Sequence, residues 1–106
     1  MKIAVTYENG QVFQHFGHTE QFKIYEAAEG KVVSARVVET GGSGHGALAG
    51  FLRGLGVDTL ICGGIGGGAR SALAEAGIQL YPGASGSADA QVEALLAGSL
   101  AYDPNT

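Results

Sequence analysis

Asp58-Thr59-Leu60-Ile61-Cys62-Gly63-Gly64-Ile65-Gly66-Gly67-Gly68 is the stretch that decides the fold class. Its first half is a short apolar run without polar alternation, the pattern of a strand covered on both faces in a parallel sheet. The glycine loop 63–68 follows, and then Ala69, Leu73 and Ala76 recur at helical spacing. Gly77 stops that helix, residues 78–81 form a short apolar strand, and Pro82-Gly83 ends it. A strand, a helix and a strand joined this way form a right-handed crossover with the two strands parallel.

Working toward the C-terminus, Ser87 can cap a third helix carrying Ala88, Val92, Leu95 and Leu96, with Gly98 as its stop. Toward the N-terminus, Ala47, Leu48, Phe51, Leu52 and Leu55 share one helical face, stopped by Gly56. Residues 40–46 form a glycine-rich loop before it. Residues 31–38 and 22–27 alternate as strands and meet at Glu29-Gly30, a hairpin pattern in which valine dominates the second strand. Residues 2–7 are a first strand, and Glu8-Asn9-Gly10 is a turn signal. Residues 11–20 read as a loop with a short extended piece at Val12 and Phe13.

The resulting order predicts an α/β fold of the ribonuclease-H-like kind. It has a mixed five-stranded sheet, one strand antiparallel, with helices on both faces. The 106 residues suit a single domain, 1–106. Hydrophobic residues make up 45% and charged residues 15%, the balance of a folded chain rather than a disordered one. Net charge is −4, and no stretch clusters Lys or Arg, which argues against a nucleic-acid partner. No long apolar run points to a membrane span. The N-terminus reads directly into a strand and Cys62 is the one cysteine, so a cytoplasmic protein without internal disulfides is expected.

The topology carries a functional consequence. If strands 2–7, 31–38, 59–62 and 78–81 are parallel, their C-terminal ends share one edge of the sheet. Strand 22–27 starts at that edge. His15, His18, His45 and Cys62 then gather at one rim, where open α/β sheets bind ligands. Imidazole and thiolate suit iron, zinc or copper. Each residue also has a plain structural reading. His15 and His18, spaced i, i+3, serve equally as surface residues. His45 lies between Gly44 and Gly46, which suits a flexible turn. Cys62 packs readily as a small buried hydrophobe. Gly63, Gly64 and Gly66 can expose backbone N–H groups before a helix, an anion site, or can serve close strand–helix packing. No Gly-Lys-Ser/Thr follows, so the loop is not a Walker loop. No nucleophile elbow or set of clustered carboxylates supports catalysis, so a non-enzyme is expected.

Lys2-Ile3-Ala4-Val5, Gln14-His15-Phe16-Gly17, Phe22-Lys23-Ile24-Tyr25, Leu60-Ile61-Cys62-Gly63-Gly64-Ile65-Gly66 and Ala76-Gly77-Ile78 with Tyr81 together resemble the dinitrogenase iron–molybdenum cofactor biosynthesis family. The resemblance spans nearly the whole chain. It implies a ribonuclease-H-like unit that binds the iron–molybdenum cofactor or an iron–sulfur precursor transiently and hands it from a donor to an acceptor protein. It implies His15 as the binding histidine. His18, His45 and Cys62 come from the rim argument alone. Relatives of the short type often carry a tail rich in His and Cys, whereas the sequence in hand ends Tyr102-Asp103-Pro104-Asn105-Thr106. The leading expectation is a cluster-binding carrier, monomeric or weakly homo-oligomeric. The alternatives are a small-anion or nucleotide module using the glycine loop, and a regulatory partner of iron–sulfur cluster assembly ATPases.

Overall fold

The computed structural model describes residues 1–41 and 45–106, with side chains described for 1–41 and 47–106. The strands are β1 (Lys2–Glu8), β2 (Gln11–Val12), β3 (Gln21–Ala28), β4 (Lys31–Glu39), β5 (Thr59–Ile61) and β6 (Gln79–Tyr81). A 3-10 turn spans Phe16–His18, and the helices are α1 (His45–Gly54), α2 (Gly67–Glu75) and α3 (Ala88–Ala97). They build one mixed sheet in the order β4-β3-β1-β5-β6, with β2 off this path as a partner of β1. Strand β3 is antiparallel to both neighbours, while β1, β5 and β6 run parallel.

The expected five strands are therefore six. The sixth, β2, arises because Asn9 (φ 50°) and Gly10 (φ 83°) both adopt left-handed conformations. Two such residues make the tight turn that suits a β-hairpin. The chain folds straight back, pairing Tyr7 with Val12 and Glu8 with Gln11. The extended piece is thus residues 11 and 12, not 12 and 13. Glu29 (φ 55°) and Gly30 (φ 76°) make the same kind of turn between β3 and β4. The other adjustment is at α2, which starts inside the glycine run at Gly67.

Alternation along the strands feeds two cores. Ala4, Phe22, Ile24 and Leu60 pack against Leu48 and Leu52 of α1 and Leu73 of α2. Ile3, Val5, Tyr25 and Ile61 pack against Ala88 and Val92 of α3 on the opposite face. Helices thus cover both faces, as expected. Strand β4 is an edge. Its pairing with β3 steps from Glu26↔Ser34 to Ala27↔Val32, leaving Val33 as a bulge. A bulge twists an edge away from unwanted pairing. Among the described residues no helix is long and apolar enough to cross a membrane.

Helix α3 is placed by its caps and by one polar cluster. Ser87 accepts a hydrogen bond from Ala90 N–H, and Gly98 ends the helix in the left-handed region. The buried Tyr25 donates its hydroxyl to Asp89 at 2.5 Å, and Lys23 Nζ donates to the same carboxylate at 2.8 Å. The hydrogen bonds from Lys23 and then Tyr25 hold the Asp89 carboxyl below its usual range. Burial, then the bond to Asp89, pushes the Tyr25 phenol upward. A depressed carboxylate adds stability above its unfolded-state pKa of about 3.9 and loses it as pH falls through the folded value. Asp89 is 68% exposed, so screening keeps the effect to about 0.2–1 kcal/mol. Asp89→Asn is expected to lower stability by that amount at pH 7 and by progressively less below about pH 4. Urea midpoints across pH check this.

Candidate functional site

The site lies at the sheet edge where β1, β5 and β6 end and β3 begins. It is assembled from the segment 13–19 and the glycine loop. Thr6, in the second half of β1, holds Phe13 in two ways, donating Oγ1–H to its carbonyl at 2.8 Å and accepting its N–H at the backbone carbonyl at 2.9 Å. The chain then runs parallel to the glycine loop. Gly64 N–H donates to Gln14 C=O at 2.8 Å, and Phe16 N–H donates to Gly64 C=O at 3.1 Å. These two bonds flank His15 and fix its backbone beside Gly64. Phe16 anchors the segment from below, 2% exposed and with its ring 6.2 Å from Phe22.

The 3-10 turn after His15 explains why the i, i+3 spacing matters. His18 N–H donates to His15 C=O at 2.9 Å, and Thr19 N–H to Phe16 C=O at 3.1 Å. Residues three apart are eclipsed in such a turn. The two imidazoles therefore sit on one side, with ring centroids 6.4 Å apart and planes at 89°. Both side chains are exposed. They line a cleft of about 450 Å³ together with Phe16, Gly17, Gly64, Ile65, Gly66, Gly68 and Ala69.

Gly63 does not line that cleft but explains how its walls meet. A methyl group on Gly63 would lie 2.5 Å from Gln14 Oε1 and 2.7 Å from Gln14 Cα. Only glycine lets the two loops approach this closely. Gly66 caps α2 in an extended conformation without a side-chain hydrogen bond. The first-turn N–H groups of α2 thus lie at the cleft wall with no capping oxygen over them. The partial positive charge there favours an anion.

Of the sequence candidates, the structure brings His15, His18, Gly64 and Gly66 together in the cleft. It does not bring Cys62. That thiol is fully buried in the core shared with α1 and α2 and contacts Gly63 C=O at 3.6 Å. Period-two alternation is the reason: Leu60 faces that core, Ile61 the opposite one, and Cys62 returns to the side of Leu60. Burial pushes its pKa up to about 12, partly offset by Arg70, and its place inside the core keeps the sulfur out of the cleft lining. The side chain of His45 lies outside the described residues. Among the described residues, no group of three or more His, Cys, Asp or Glu is placed to hold a metal ion. Sequence reasoning missed Phe16, Ile65 and Ala69 as cleft walls. Their apolar character beside the glycines and histidines was the available signal.

The family model described as dinitrogenase iron-molybdenum cofactor matches residues 1–98. The chain is 40% identical over 87 residues to the FeMo cofactor biosynthesis protein NifB of Sinorhizobium fredii, covering 74% of this chain but 18% of that protein. It is 32% identical over 105 residues to an uncharacterized protein of Methanocaldococcus jannaschii, covering 94% of this chain and 89% of the other. Its fold is similar to the apo form of the orange protein from Desulfovibrio gigas, with TM-score 0.83 and 29% identity over 97% of this chain and 92% of that one.

Proposed function

Because this chain belongs to the dinitrogenase iron–molybdenum cofactor family, we propose that it binds a preformed iron–sulfur-based cluster reversibly and passes it on, rather than catalysing a reaction. The observation that carries this reading is the pinning of His15 beside Gly64, with His18 alongside, at a cleft of about 450 Å³. Imidazole nitrogens suit the exposed metal atoms of such a cluster, and the N–H groups of the glycine loop and α2 suit its sulfides or negative charge. The cleft lining contains no cysteine or carboxylate. Cluster ligation by a cage of four thiolates is tight. Among the described residues, the two imidazoles of His15 and His18 with backbone donors make a weaker hold, which suits release to an acceptor protein. The strand order, with β3 antiparallel, supports a ribonuclease-H-like assignment. A role in nitrogenase assembly itself does not follow from the match to 18% of NifB.

The test is anaerobic titration of the purified protein with extracted iron–molybdenum cofactor, followed by absorbance and metal analysis. Near-stoichiometric uptake is expected. A nucleotide panel in a thermal-shift assay runs in parallel. A large shift with a nucleotide and no cluster uptake would instead favour the anion-binding role of the glycine loop.

A further inference from the structure

Gln14 is an exposed residue whose side chain is nonetheless tied down on two sides. Its Nε2 donates to Val12 C=O at 3.2 Å and to Ala84 C=O at 3.1 Å, a partner seventy positions away in sequence. Its own carbonyl accepts the Gly64 N–H at 2.8 Å. Ala84 N–H in turn donates to Cys62 C=O, and Gly83 N–H to Gly63 C=O, both at 3.0 Å. These bonds close a circuit through three rim loops, from Gln14 to Ala84, back to residues 62–64, and back to Gln14. His15 is the next residue along the chain.

A primary carboxamide suits this place chemically. Two carbonyls are met by one side chain, and the –NH₂ of glutamine carries two donors without a charge. Glutamate has the same shape but, ionised, only accepts, and would set a carboxylate against both carbonyls. Holding a glutamine fixed at a surface costs conformational entropy that a free side chain would keep. The fixed geometry is then repaid when a ligand meets a cleft that needs no further ordering.

We propose that Gln14 is a positioning residue: it locks the backbone of His15 onto the glycine loop and ties both to the Ala84 turn, so that the cluster meets a preformed cleft. This rests on the carrier reading, but its test separates the two. Gln14→Glu and Gln14→Met keep the length of the side chain and remove its donors. In either variant the exchange of the Gly64 and Phe16 amide hydrogens is expected to speed up about tenfold, the loss of roughly one net hydrogen bond. Amides of β1 and β3 should keep their wild-type exchange. Cluster affinity should fall about tenfold as well, yet Gln14→Met should cost clearly less in a His15→Ala background than in the wild type, since part of its effect runs through His15. A loss that simply adds to that of His15→Ala would overturn the positioning role. So would wild-type exchange at Gly64 and Phe16. Should wild-type protein take up no cluster, the carrier reading fails on its own, and the exchange rates still decide what Gln14 does.

Discussion

Gly63→Ala is expected to destabilise the protein by about 1–3 kcal/mol, the usual cost of forcing a methyl into filled space, and to abolish tight cluster binding. The backbone of Gly63 is not in the left-handed region, so strain in its own dihedral angles is not the cause. The cause is contact. The new methyl would lie 2.5 Å from Gln14 Oε1, 2.6 Å from Cδ and 2.7 Å from Cα. A flexible side chain could swing aside, but Cα is backbone and cannot. Segment 13–16 must lift from the glycine loop, breaking the Gly64-to-Gln14 and Phe16-to-Gly64 hydrogen bonds at 2.8 and 3.1 Å. His15 moves with it. Gly67→Ala is the matched control, since a methyl there meets nothing within 4 Å. Urea denaturation of both variants checks the first part, and cluster titration the second. Equal stability of the two would refute the close-approach explanation.

The second large effect separates binding from folding. His15→Ala removes an exposed imidazole whose backbone hydrogen bonds do not depend on it. Surface substitutions of this kind usually change stability by less than about 0.5 kcal/mol. The thermal midpoint should therefore stay within a few degrees of wild type. Cluster affinity should fall at least about tenfold, or 1.4 kcal/mol. His18→Ala should weaken binding less, because His15 is the histidine whose backbone is bridged to Gly64 of the glycine loop. A large drop in thermal midpoint for His15→Ala, with affinity unchanged, would assign His15 a structural role instead.

Much of this arrangement is legible in the sequence because short-range chemistry dictates it. The crossover from β5 through α2 to β6 follows from an apolar run, a glycine loop and helical spacing, and Ser87 marks the start of α3 as its side chain suggests. The edge shared by the loops follows once the parallel strands are placed. Asn9-Gly10 signals a turn, but whether two residues of strand follow it depends on pairing with β1, which is a tertiary matter. The direction of Cys62 was within reach, since alternation from Leu60 sends it into the core. What no local pattern contains is the role of Gln14 and Gly63. Their contacts join positions about fifty and seventy apart in the chain. A surface glutamine and one glycine among many look ordinary until three loops are seen to close on them.

The most direct test of a His15–glycine-loop binding cleft maps where the cluster sits. ¹⁵N-labelled protein is titrated without oxygen with extracted iron–molybdenum cofactor while amide resonances are recorded. Resonances of residues 15–18 and 64–69 should shift or broaden first, with those of α3 on the opposite face of the sheet unchanged. Perturbation centred on α3 or on the β4 edge, or none at stoichiometric cluster, would contradict it.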